Sequence, residues 1–432
     1  MQDRNDGWLR LDNAAKIYPA IKDRELTSVF RVAVQLKERI KARPFLKAVH
    51  SLEERFPYYK MKLRAGFFWY YLEPGDLPVT VVPDQGLPCR AFGREELMFR
   101  VLVKENTISV EFSHILTDGT GAFEFLKTLL LAYLEQCGLQ PPAGVPFLHP
   151  GASPLAEEQE DAYNRYFKKI DIPPPRIAKA FHIPFRLREV PRLDVLTAII
   201  PVADIIRQAK AQEVSLTEYL VAVYLYSLQH VYEQQTPLRK RAARKILRIE
   251  VPVNLRKMFP SRTMRNFSLY VMPGIDLRLG HYTFEEILKT VFHQMRLETE
   301  SKLISKMISR NVGGEKNPFV RRLPLFIKSL VLSRLYTLGT RQYSGVVTNL
   351  GKIDLGPEIN RMIDTFIFIP PPPNDELKVN CAVAGFDNKL ALTFANVTTS
   401  KALERQFFTF LTAQGIPVRI VKQYKSDAHE HL

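Results

Sequence analysis

Apolar and polar residues alternate through Thr107-Ile108-Ser109-Val110-Glu111-Phe112, a period of two that predicts a strand with one buried face in the run from Leu97 to Phe112. The period then lengthens. From Thr120, residues Phe123, Leu126, Leu129, Leu130, Tyr133 and Leu134 recur at helical spacing, which predicts a helix ending near Cys137-Gly138. Upstream of the strand the pattern reads as helix, helix and a pair of strands. Downstream of the helix the chain becomes turn-rich. Pro141-Pro142-Ala143-Gly144, Pro146, Pro150-Gly151, the acidic run Glu157-Glu158-Gln159-Glu160-Asp161 and Pro173-Pro174-Pro175 mark a long crossover between domains, with the boundary near Val190.

The second half opens on a β-branched stretch, Leu193 to Val202, followed by a helix from Ala203. Ser215-Leu216-Thr217-Glu218 has capping-box spacing ahead of the apolar run Tyr219 to Tyr232, and Thr283-Phe284-Glu285-Glu286 repeats the signal, so a helix starts at each. Strands are predicted at Ile246 to Val253, Leu269 to Ile275, Val346 to Ile353, Thr365 to Ile369, Lys378 to Gly385 and Leu390 to Val397, and a last helix at about Lys401 to Ala413. Strands and helices mix without a regular βαβ alternation. The expected fold class is therefore α+β, with two sandwich-like domains over residues 1–190, including the crossover from about 141, and 191–432.

A chain of 432 residues, 46% hydrophobic, has the material for two cores. No apolar run reaches the 18 or so residues of a membrane span, and Met1-Gln2-Asp3-Arg4-Asn5-Asp6 has no signal-peptide pattern, so a cytoplasmic protein without a transmembrane segment is expected. Cys89, Cys137 and Cys381 lie far apart and read as reduced packing residues. The net charge of +16 suits polyanions, anionic membrane surfaces or phosphorylated cofactors, and it leaves peripheral membrane contact open. Its densest cluster, Arg239-Lys240-Arg241-Ala242-Ala243-Arg244-Lys245, has no interleaved aromatics and reads as a solvated connection, so nucleic-acid binding is set aside as the main function.

Candidate chemistry concentrates in Ser113-His114-Ile115-Leu116-Thr117-Asp118-Gly119, which places His114 between the predicted strand and helix. A histidine with an ordinary pKa of about 6.5 can accept a proton as neutral imidazole near neutral pH. The bland alternative is a hydrogen-bonded structural histidine at a strand end. His50, His149, His182, His230, His281 and His293 show no paired ligand spacing, and His429 and His431 sit in a polar tail, so no metal site is expected.

The His-x-x-x-Asp-Gly spacing in this context resembles the active-site motif of the coenzyme-A-dependent acyltransferase superfamily, which includes alcohol acetyltransferases, chloramphenicol acetyltransferase and peptide-synthetase condensation domains. The resemblance covers nearly the whole chain. Leu11-Asp12-Asn13-Ala14-Ala15-Lys16-Ile17-Tyr18-Pro19, Arg55-Phe56-Pro57-Tyr58, Phe67-Phe68-Trp69-Tyr70-Tyr71-Leu72-Glu73, Val251-Pro252-Val253-Asn254-Leu255-Arg256, Arg265-Asn266-Phe267 and Thr348-Asn349-Leu350-Gly351 are similar to alcohol-acetyltransferase-like and condensation-domain-like members in order and spacing. Two features depart from it. Ser113 stands where many members carry a first histidine, and Asp354-Leu355-Gly356-Pro357 is a poor substitute for the plant Asp-Phe-Gly-Trp-Gly signature, so this is not a plant-type enzyme.

What the resemblance implies is a pair of chloramphenicol-acetyltransferase-like domains with the active histidine in a tunnel at their interface. His114 is then the general base that moves an acyl group from a thioester, acyl-CoA foremost, to a hydroxyl or amine. Asp118 pairs with Arg256 in a structural role, Gly119 lets the backbone turn, and Asn266 anchors a loop. Thr348 and Asn349 carry either an oxyanion or acceptor contact or a plain strand-ending turn. No permanently bound cofactor is implied; acyl-CoA is a co-substrate and a small-molecule acyl acceptor its partner. The rival readings are a free-standing condensation-type enzyme that takes thioesters from an acyl carrier protein, and a non-catalytic relative that binds a carrier or a lipid.

Overall fold

The computed structural model describes residues 7–21, 26–140, 147–170, 173 and 177–424. Met1 to Asp6, the turn-rich run 141–146, Pro174-Pro175, His429 and His431 lie outside the described residues. A five-stranded sheet has the order Ile363–Ile369, Val29–Leu36, Thr107–Ser113, Phe99–Lys104, Val81–Pro83. An eight-stranded sheet runs Ser268–Val271, Ile246–Asn254, Gly345–Ile353, Val379–Phe386, Lys389–Asn396, Asp194–Pro201, Arg419–Tyr424, with Gly274–Asp276 also on Ile246–Asn254. Leu9–Arg10, Tyr70–Pro74 and Met61–Ala65 make a small third sheet. Both large sheets mix with helices irregularly, as the α+β reading expects.

Each large sheet has its own core. Helices Ala42–Arg55 and Gly119–Gln136 cover the first through Phe45, Leu52, Phe125 and Leu129. Helices Leu216–Glu233, Phe284–Glu298 and Ala402–Ala413 cover the second through Leu220, Tyr224, Val291 and Phe407. Reciprocal capping boxes at Ser215/Glu218 and Thr283/Glu286 start two of these helices, each satisfying backbone donors that the first turn leaves unpaired.

The run from Leu97 to Phe112 differs from its sequence reading. It is a hairpin, Phe99–Lys104 against Thr107–Ser113, turning at Glu105, whose φ of 50° is left-handed. Asn106 fixes the turn by donating its side-chain amide to Leu36 O at 2.6 Å. Nor does the second strand have a solvated face, since Ser109 and Glu111 are buried with their apolar neighbours. Glu111 is instead neutralised from two sides, by Arg31 at 2.7 Å and Arg100 at 3.0 Å, while Arg31 also reaches Asp84 at 2.8 Å.

Two strands depart further. The pattern reads upstream as helix, helix and a pair of strands, whereas Val29–Leu36 is an interior strand of the first sheet; it is buried on both faces, with its one charge, Arg31, ion-paired inside, and so shows no polar and apolar alternation. The strand predicted at Thr365 to Ile369 in the second half spans Ile363–Ile369 and pairs antiparallel with Val29–Leu36, so the C-terminal half lends a strand to the first sheet.

A buried charge left without its partner is costly, so Glu111→Gln is expected to lower unfolding free energy by about 3–5 kcal/mol. Denaturant titration checks this; a loss under about 1 kcal/mol would show that Arg31 and Arg100 do not depend on that carboxylate.

Candidate active site

His114 follows strand Thr107–Ser113 directly and is held by its backbone N–H on Ser28 O at 2.9 Å. Its ring lies between Phe30, at a centroid distance of 4.4 Å, and Tyr18, which stacks at 5.3 Å and 15°. Nδ1 faces Asn266 Oδ1 at 3.5 Å. That oxygen is an acceptor, because the amide nitrogen of Asn266 donates elsewhere, and it favours the Nδ1–H tautomer, which leaves Nε2 with its lone pair. Burial lowers the His114 pKa below its ordinary value, outweighing the nearby Asp118 charge and the hydrogen bonds of Asn266 and Thr117. A neutral imidazole at neutral pH is the form able to accept a proton.

The Asp118 side chain joins three segments. As N-cap of helix Gly119–Gln136, its Oδ1 accepts from Thr120 N and Gly121 N, both at 3.1 Å. Its Oδ2 accepts from Phe267 N at 2.9 Å. Arg256 closes on both oxygens, at 2.8 and 3.2 Å, and donates further to the carbonyls of Thr263 and Arg265 at 3.1 and 2.6 Å. Burial alone would raise the Asp118 pKa; Arg256 and the backbone donors overcome it and hold the carboxyl below its usual value. Asp118 faces these donors and makes no hydrogen bond to the imidazole.

The loop so anchored carries Asn266, whose amide nitrogen donates to His114 O at 2.8 Å and to Asp12 Oδ2 at 3.1 Å. His114 comes from the five-stranded sheet, whereas Asn266 and Arg256 come from the connection between strands Ile246–Asn254 and Ser268–Val271 of the eight-stranded one. The site thus sits where the two sheets meet. Packing there is tight enough to need glycine. Leu350 Cδ2 would stand 3.2 Å from a Cβ on Gly119, and a Cβ on Gly121 would overlap Thr117 Oγ1 and the Met264 carbonyl.

The hydroxyls beside His114 are already engaged. Ser113 Oγ pairs with Ser28 Oγ at 2.8 Å and accepts from Ile115 N, while Thr117 Oγ1 donates to Met264 O at 2.5 Å. Asn349 spends its side chain on Thr217 Oγ1 at 3.0 Å and on Gly351 N at 2.8 Å, across a register break in strand Gly345–Ile353. Thr348 differs. It precedes Asn349 in strand Gly345–Ile353, opposite Ala382 of the neighbouring strand, and Leu350, two residues on, reaches Gly119. The Thr348 hydroxyl makes no hydrogen bond among the described residues.

Several residues at the site have no counterpart in the sequence reading. Tyr18 and Phe30 clamp the imidazole; Tyr18 lies within the run Leu11 to Pro19, but nothing in its spacing marks that contact. Asp12 is buried and pushed up to about 6 by that burial, against the pull of Arg265. Glu250 is the clearest omission, because one acid in the strand run Leu247-Arg248-Ile249-Glu250-Val251 is itself a signal. Burial pushes its carboxyl up to about 7, partly offset by the Tyr343 hydroxyl that donates to it, and Tyr18, Tyr270 and Tyr336 stand within its electrostatic reach. A half-open cavity of about 770 Å³ lies toward the small sheet, walled by Trp8, Phe68, Trp69, Lys16 and Arg321. His114 is not on its wall; Leu11 and Lys16 are, flanking the turn that carries Asp12.

No protein-family model matches the sequence, and no curated protein is significantly similar to it. Solved structures do match in fold. The nonribosomal peptide synthetase FmoA3 superposes with a TM-score of 0.58 at 15% identity over 95% of this chain, which spans 42% of that synthetase. The starter condensation domain of the rhizomide synthetase RzmA, in complex with C8-CoA, gives 0.57 at 12% identity over 94% of each chain. TRI101 of F. sporotrichioides, complexed with coenzyme A and T-2, gives 0.62 at 8% identity over 96% of this chain and 100% of that one. The chain therefore has the two-domain fold of condensation domains and chloramphenicol-acetyltransferase-like acyltransferases.

Asp118→Asn is expected to destabilise the fold by about 3–5 kcal/mol, because Arg256 keeps its burial and loses its counter-charge. The sign with pH follows from the lowered carboxyl: its contribution is complete above the unfolded value of about 3.9 and is lost as pH falls through the folded one. Denaturation series across the acid range should show wild type losing stability more steeply than Asp118→Asn; parallel curves would contradict the assignment.

Proposed function

We propose that the protein is an acyltransferase that moves an acyl group from a thioester, with acyl-CoA as donor, to a hydroxyl or amine acceptor. The observation that carries this reading is the neutral, clamped imidazole of His114 at the junction of the two sheets. The same fold holds C8-CoA in one neighbour and coenzyme A with T-2 in another, which supports coenzyme A as the donor's carrier. We assign the halves to residues 1–190 and 191–432, the second returning strand Ile363–Ile369 to the first sheet.

His114 Nε2 takes the proton as the acceptor oxygen or nitrogen attacks the thioester carbonyl. The tetrahedral oxyanion collapses, the C–S bond breaks, and the leaving sulfur takes the proton back from the imidazolium. Thr348 is the assigned hydroxyl donor to the oxyanion or acceptor; Asn349, engaged with Thr217, holds the strand end that presents it. No acyl-enzyme is needed, and the engaged hydroxyls of Ser113 and Thr117 suit direct transfer between two bound substrates. Asp118 and Arg256 act at one remove by fixing the loop of Asn266.

Thiol release from acyl-CoA in the presence of mixed alcohols and amines tests the reading. His114→Ala should lower the rate by about 10²–10⁴-fold with melting unchanged. In the wild type, kcat/KM should stay level through neutral pH and fall in acid, below the ordinary histidine value of about 6.5, because burial depresses this imidazole. Undiminished turnover in His114→Ala would remove the base, and turnover only with carrier-bound thioesters would replace the donor.

Salt should act on one substrate only. With a net charge of +16, rising ionic strength is expected to raise KM for the polyanionic donor and leave that for an uncharged acceptor level. Constants that move together would detach the charge from donor binding.

A further inference from the structure

The helix Leu325–Thr340 is apolar around nearly its whole circumference, yet it meets protein on one side only. Lys328 and Thr340 are buried, and Tyr336 stands within electrostatic reach of Tyr18. Phe326, Leu330, Val331, Leu335 and Leu338 are exposed, Phe326 to 75%. At about 100° per residue these fall within one half of the helix. Neighbouring segments extend the face. Phe319, on the preceding short helix Pro318–Arg322, is 84% exposed, and Phe67 is 73% exposed where its carbonyl accepts from Leu325 N. Lys328 ties the pieces together, donating to the carbonyls of Phe68 at 2.9 Å and Arg321 at 3.1 Å.

Charge on this stretch has one sign. Between Glu315 and Asp354 the chain has no acidic residue, but it has Lys316, Arg321, Arg322, Lys328, Arg334, Arg341 and Lys352. Arg322 and Arg334 are exposed and make no ion pair among the described residues. A helix apolar all round belongs in a core or in lipid, and clustered exposed apolar side chains mark an interaction surface. No described helix is long and apolar enough to cross a membrane. Leu325–Thr340, 16 residues, is about 24 Å long, short of the roughly 30 Å hydrocarbon core, and it carries Arg334 within its outer face.

We propose that this face docks the protein onto an anionic lipid bilayer, with Phe319, Phe326, Leu330 and Leu335 entering the acyl boundary and Arg322 and Arg334 on the headgroups. Charge argues against the other occupants. A second copy would set this basic stretch against itself, and an acidic protein would neutralise the arginines but gives no reason for so many exposed aromatic and aliphatic side chains. The cavity beside the site has Phe68 and Arg321 on its wall, so it opens next to the docking face. Docking does not depend on the acyl-transfer reading, and its test uses no turnover.

Flotation of the full chain with vesicles decides it. Vesicles of phosphatidylcholine with phosphatidylserine should carry the protein, phosphatidylcholine alone far less, and raised salt should release it. Phe319→Ser with Phe326→Ser, and separately Arg322→Glu with Arg334→Glu, should each weaken binding at least about tenfold while melting stays at the wild-type temperature. Failure to float with either vesicle, or equal flotation of both variants, overturns the proposal. So does light scattering that shows a dimer split by the same substitutions, or capture of an acidic carrier protein in place of vesicles.

Discussion

The carboxylate of Asp118 is the constraint on which the rest of the site depends. It receives the first amides of helix Gly119–Gln136, the amide of Phe267 and both arms of the Arg256 guanidinium, and so fastens a helix of one sheet to a loop of the other. Buried without these partners, a carboxylate would take up a proton and release all of them together. With them it stays ionised, which keeps the N-terminal end of the helix, the Arg256 turn and the 263–267 loop in one arrangement.

His114 inherits its position from that junction. Phe267 is held by Asp118, and Asn266, one residue before it, holds the His114 carbonyl and faces Nδ1. Tyr18 and Phe30 fix the ring plane, and burial keeps it neutral. One acidic side chain therefore orders the imidazole without touching it. In the proposed reaction, a base held in advance needs no reorganisation at the moment of proton transfer.

Much of this could be read from the sequence, and the rest was hidden for physical reasons. Ser113 to Gly119 located the strand-to-helix turn, and the long-range partner Arg256 came from a resemblance, since no local period connects residues 118 and 256. Capping boxes at Ser215 and Thr283 were visible because their chemistry is local. Val29–Leu36 has no alternation because it is covered on both faces; Leu97 to Phe112 turns at Glu105-Asn106, where no Gly or Pro marks the break, and its expected solvated face is absent because Arg31 and Arg100 neutralise Glu111 inside. Tyr18, Phe30 and Asp12 reach the imidazole or its anchor through tertiary packing alone, whereas Glu250, one acid in an apolar strand, left a mark that could have been followed.

The central claim is that His114 rests as a neutral imidazole with its proton on Nδ1 and its Nε2 lone pair available. Nitrogen-15 NMR of the histidine-labelled protein, with the His114 resonances assigned through His114→Gln, measures this directly. The account requires the neutral Nδ1–H signature at neutral pH, with protonation only in acid below the ordinary histidine range. An imidazolium at neutral pH, or a proton resident on Nε2, would contradict it.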